Sequence, residues 1–144
     1  MHRELTKDEV PKFVLAGNAT ITLQSGKTGK HYTYQVKRYR DQELYFIRLL
    51  KGPNNNEDYK YIGTYRLQFN KFIPAKPHNS MPGDTLPSAI RAIEYLFDKL
   101  YDKPDNLLVF HEGRCARCGR KLTTPESIKS GYGPECQAYV EERK

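Results

Sequence analysis

The sequence predicts an α+β fold: an antiparallel sheet of four to five strands, one covering helix, and a C-terminal segment closed round a metal ion. Three observations carry this. Between residues 19 and 67, apolar and polar residues alternate in four runs separated by turn-forming residues. Leu86, Ile90, Ile93, Phe97 and Leu100 recur instead at helical spacing, with Leu96 beside them. All three cysteines of the 144-residue chain cluster near one end, in the order Cys115, Cys118, Cys136.

Residues 1–18 read as a polar lead-in ending at Gly17-Asn18. Thr20, Ile21, Thr22 and Leu23 alternate, which predicts a strand over 19–24. Ser25-Gly26-Lys27-Thr28-Gly29-Lys30 faintly resembles a phosphate-binding loop, but Gln24 and His31 stand where that loop needs Gly and Ser/Thr. A hairpin turn is the better reading. In 31–40, Tyr32, Tyr34 and Val36 face one way, while Thr33, Gln35 and Lys37 face the other. The run 43–51 is more apolar and reads as a central strand. Residues 52–58 are turn-rich. The strand at 59–67 carries Tyr59, Tyr61 and Tyr65 on one face, with Gly63 marking a bulge or a close contact.

Three prolines and no clear period make 71–83 a linker. Asp84 or Thr85 caps the following helix, and Pro87 suits its first turn. The helix lays its apolar stripe on the sheet and ends by Lys103-Pro104-Asp105. A short strand over 107–110 leads into His111. Thr123-Thr124-Pro125-Glu126 starts a short helix, and Gly133-Pro134-Glu135-Cys136 opens a last one. The expected division is a basic sheet region, 1–82, and a helix-plus-finger region, 83–144, packed as one compact unit.

The spacing His111-x3-Cys115-x2-Cys118-x17-Cys136 supplies three thiolates and one imidazole, a closed tetrahedral set for Zn2+. Arg114, Arg117 and Arg120 favour the thiolate form, as does the helix start at Cys136. Glu112, Glu135, His31, His78 or water could replace His111 as the fourth ligand. A knuckle, a connection and a helix with a ligand in its first turn together resemble a treble-clef or zinc-ribbon finger. A full ligand set points to a structural metal, and so away from an enzyme.

The formal charge is +7, and the excess is confined to one part. Residues 1–82 hold 14 Lys/Arg against 7 Asp/Glu, whereas 83–144 hold 10 of each. A basic lobe attracts phosphates or acidic protein surfaces. Tyr32, Tyr34, Lys37, Arg38, Arg40, Lys60 and Arg66 interleave rings with cations, as a single-strand-binding face would. The bland reading of the same residues is a tyrosine-rich core beneath a solvated basic surface. No 18-residue apolar run predicts a membrane span, residues 1–12 show no leader pattern, and three clustered cysteines suit a reducing cytoplasm.

The stretch from His111 to Ile128, with Gly131-Tyr132-Gly133-Pro134-Glu135-Cys136, resembles an uncharacterised zinc-binding domain family of phage and mobile-element proteins. Its pattern is Cys-x2-Cys-Gly-Arg-x-Leu-Thr-x-Pro-x-Ser-Ile-x2-Gly-x-Gly-Pro-x-Cys. The resemblance implies zinc and a phage or prophage origin, and no reaction. Two functions are expected. The first is an anti-defence inhibitor of the anti-CRISPR kind, binding a bacterial nuclease complex in the host cytoplasm and blocking DNA engagement. The second is a phage nucleic-acid-binding accessory protein that uses the basic tyrosine-rich sheet.

Overall fold

The computed structural model describes residues 3–40, 42–50, 59–75, 86–112 and Ala116. Its elements are β1 (Arg3–Glu4), α1 (Glu9–Val14), β2 (Asn18–Ser25), β3 (His31–Arg38), β4 (Leu44–Leu50) and β5 (Tyr59–Arg66). A 3-10 turn (Leu67–Phe69), β6 (Lys71–Pro74), α2 (Leu86–Asp98) and β7 (Leu107–His111) follow. The strands form one antiparallel open sheet in the order β1-β7-β2-β3-β4-β5-β6. The α+β class therefore stands. The strand number is higher than expected: six strands of four or more residues, plus the two-residue β1.

Two segments account for the difference. Lys71 to Pro74 is a strand and not linker: after the left-handed Asn70 (φ 49°) the chain reverses and pairs with β5. Its proline sits at a sheet edge, where a missing N–H costs no ladder bond. The lead-in is also structured. β1 pairs with β7, and α1 buries Val10, Phe13 and Val14, with Leu5 just ahead of it. The Glu9 carboxylate accepts the Thr6 backbone N–H at 2.9 Å, the return half of a capping box. Among the described residues two helices, not one, thus cover the sheet.

Alternation sorts the sheet into two faces. The inner face presents Ala19, Ile21, Leu23, Tyr34, Val36, Tyr45, Ile47, Leu49, Tyr65 and Val109, all buried. From α2, Ala89, Ile93, Leu96 and Phe97 pack onto it, with Leu100 just beyond the helix. Phe97 stacks on Tyr65 (4.2 Å between centroids, 14°) and lies near-parallel to Phe72 (6.0 Å, 13°). Tyrosines enter this core because each hydroxyl finds an acceptor. Tyr34 donates to the Ala89 carbonyl (2.7 Å), Tyr45 to that of Leu15 (2.8 Å), and Tyr65 to Asn70 Oδ1 (2.5 Å). Burial raises all three phenol pKa values: that of Tyr65 is pushed up to about 12, and that of Tyr34 higher still.

Ser25 to Lys30 forms the β2–β3 hairpin turn, closed by Ser25 N–H to the Lys30 carbonyl at 2.9 Å. In β5 the register slips: Ile47 pairs with Gly63 but Arg48 with Tyr61, leaving Ile62 as the extra residue of a bulge. The expected common face of Tyr59, Tyr61 and Tyr65 is split as a result. Tyr65 points into the core, while Tyr59 and Tyr61 face outward opposite Leu50 and Arg48.

Candidate metal centre and outer sheet face

β7 lies between β1 and β2, which brings His111 to the interior: it pairs with Arg3 on one side and Ile21 on the other. Its register with Ile21 places it on the inner face, where it is fully buried against Phe13 (5.4 Å between ring centroids, 31°). The chain beyond it stays attached to β2. Glu112 N–H donates to the Thr20 carbonyl at 3.3 Å, and Asn18 N–H donates to the Ala116 carbonyl at 2.7 Å. Ala116, the first residue between Cys115 and Cys118 in sequence, is itself buried in the core.

Cys115, Cys118 and Cys136 lie outside the described residues, as do Glu135, His78 and the two helices expected after residue 122. Among the described residues no three His, Cys, Asp or Glu side chains gather into a metal site. The His111 imidazole is buried beside Phe13, and Ala116 is tied to β2 through Asn18. Two of the alternative ligands are among the described residues. Glu112 follows His111 on the opposite face, where its carboxylate accepts a short hydrogen bond from the Thr22 hydroxyl. Thr22 is also bonded to Thr33 at 2.7 Å. His31 opens β3, exposed and opposite Gln24.

The outer face changes character across the sheet. At β2 and β7 it is closed, with Thr20 and Thr22 buried and Leu108 and Phe110 half-buried. From β3 to β6 it is open. Strands β2 to β6 contain six cations (Lys37, Arg38, Arg48, Lys60, Arg66 and Lys71) and no Asp or Glu. Of the residues read from the sequence as an interleaved face, Lys37 and Arg66 stand on this open side and Arg40 in the turn after β3. The rest belong to the inner side. Tyr34 is fully buried and Tyr32 half-buried opposite Leu23. Arg38 stands opposite Tyr45 and donates through Nε to the Gln42 carbonyl at 2.7 Å, and Lys60 stands opposite Leu49.

The open side also holds Tyr39, Phe46, Arg48 and Tyr61. Phe46 pairs with Lys37, and Arg48 with Tyr61. Tyr39 meets Phe46 edge-on at 5.4 Å, and Phe46 meets Tyr61 edge-on at 6.0 Å. The Arg40 guanidinium lies over the Tyr39 ring, 5.3 Å from its centroid. No helix among the described residues is long and apolar enough to cross a membrane.

Residues 109–141 match DUF6011, a family of unknown function. The matched stretch starts within β7 and includes His111 and all three cysteines. No curated protein and no solved structure matches the chain.

Proposed function

We propose that this chain is a non-enzymatic binding protein whose open sheet face engages nucleic acid, and whose C-terminal segment is closed by one Zn2+ on His111, Cys115, Cys118 and Cys136. The observation that carries the binding reading is the charge of the open face: β3 to β6 place Lys37, Arg48, Arg66 and Lys71 on that side and no Asp or Glu. Folded surfaces ordinarily mix both signs, and a single-sign field attracts a phosphate backbone. The zinc reading rests on the ligand spacing, the buried imidazole of His111 and the anchored Ala116. Bound there, zinc would supply a structural crosslink between the end of β7 and the C-terminal segment. Glu112, the carboxylate next to His111, is held by Thr22, which supports a structural role over a catalytic one.

The test is anisotropy of a labelled single-stranded oligonucleotide, 20 nucleotides of mixed sequence, titrated with the full chain at low salt. Binding that weakens steeply as salt rises supports the reading; no binding at low salt ends it.

The same acid-free face favours a second reading, an anti-defence inhibitor of phage or mobile-element origin. There the cations would meet an acidic patch on a bacterial nuclease complex such as a CRISPR effector. Affinity capture from lysate separates the two. A partner retained after nuclease treatment supports the inhibitor; loss of every partner supports direct nucleic-acid binding.

A further inference from the structure

The rings on the open face form a line. Tyr39 directly follows β3, Phe46 is the third residue of β4, and Tyr61 lies in the bulged part of β5; the rings meet in that order across three adjacent strands. Neighbouring strands lie about 4.8 Å apart, so the line spans about 10 Å at right angles to the strands. The two outer rings are open to solvent, Tyr39 at 37% and Tyr61 at 44% exposure. Each ring has its own cation: Arg40 over Tyr39, Lys37 paired with Phe46, Arg48 paired with Tyr61. Among the described residues these rings pack only on one another and on the neighbouring cations, and exposed aromatic surface of this kind marks binding sites.

We propose that this ladder is a base-stacking platform and that its ligand is single-stranded nucleic acid, with Lys37, Arg40 and Arg48 holding the phosphates beside the stacked bases. The inference rests on the nucleic-acid reading above and narrows it. A duplex offers its phosphates to the cations but keeps its bases stacked on one another. A single strand satisfies rings and cations together. Every base has a π-face, so recognition on this platform is tolerant of sequence.

The bulge in β5 is what makes the ladder possible. Unbroken alternation would place Tyr61 on the same side as Tyr65, in the core; the extra Ile62 turns it outward to meet Phe46 and Arg48.

The experiment compares a labelled 12-nucleotide single strand with the same sequence as a duplex, using the full chain, Tyr61→Ala, Tyr39→Ala and Tyr61→Phe. A single strand carrying 2-aminopurine reports stacking directly. The expected result is tighter binding of the single strand, quenched 2-aminopurine emission, roughly tenfold weaker binding for each alanine variant, and near-full binding for Tyr61→Phe. Both tyrosines are exposed, and circular dichroism checks that the variants remain folded. Equal affinity for strand and duplex, unmoved by either alanine variant, would overturn the ladder while leaving the charged face intact. Absence of binding to both would overturn the nucleic-acid reading on which it rests.

Discussion

Gly63 is the position where one added methyl group tests the most of this fold. A Cβ placed there would stand 2.5 Å from the Ile73 carbonyl oxygen, and 2.7 and 2.8 Å from Cζ and Cε2 of Phe72. Ordinary carbon contacts lie near 3.5–4.0 Å. Both clashing residues belong to β6, an edge strand paired with β5 alone. Relief must come from β6 moving away, which loosens Phe72 from Phe97 and strains the Ala75 N–H bond to the Ile62 carbonyl, 2.9 Å in the native chain. Overpacking of this kind costs about 1–3 kcal/mol. With a urea dependence of about 1–3 kcal/mol per molar, Gly63→Ala is expected to lower the unfolding midpoint by about 1 M. Amide exchange locates the damage. The Ala75 amide should exchange faster, while amides of central β3 keep their protection. An unchanged midpoint with unchanged Ala75 exchange would refute the close approach of β6 to Gly63.

Other outcomes follow from the same packing and from the proposed metal. Elemental analysis of the purified chain should find one zinc per molecule, and Cys115→Ser should lose it together with several kcal/mol of stability; a variant that keeps its zinc would remove Cys115 from the ligand set. Phe97→Ala removes a ring stacked on Tyr65 and parallel to Phe72, and should cost about 3–5 kcal/mol by urea unfolding. Tyr34, Tyr45 and Tyr65 all hold their phenols protonated above pH 10, where the unfolded chain ionises. The unfolded state then binds fewer protons, so stability is complete below pH 10 and falls above it. For Tyr65 the fall runs from pH 10 to about 12, at about 1.4 kcal/mol per pH unit for each such tyrosine. A melting temperature flat across that window would contradict these burials.

Strands with strict alternation were legible in the sequence because the periodicity of two is itself the fold's instruction. β3 shows the two faces read from its alternation, with Tyr34 and Val36 buried and Lys37 exposed, and the Leu86-to-Leu100 stripe packs as expected at Ile93, Phe97 and Leu100. Short elements were not legible. β6 offers one buried residue, Phe72, which is too little for a period. α1 spans six residues, yet it carried two signals: Thr6-Lys7-Asp8-Glu9 as a capping box, and Val10, Phe13 and Val14 at helical spacing. Reading the segment by its polar content hid both. The bulge at Ile62 was hinted at by Gly63, but its consequence, the opposite facing of Tyr61 and Tyr65, depends on the partner strand and cannot be read from β5 alone. The candidate site divides in the same way. The spacing of His111 and the cysteines was plain in sequence, whereas the burial of His111 against Phe13 needed α1 and the insertion of β7 beside β2.

The salt dependence of binding tests the central claim most directly. Each phosphate contact to a single strand contributes about −0.7 to the slope of log K against log salt. A Lys37→Gln, Arg48→Gln, Arg66→Gln triple variant should therefore bind single strands more weakly, with a slope shallower by about 2. A slope identical to that of the native chain would show that the open face of β3 to β6 is not where nucleic acid binds.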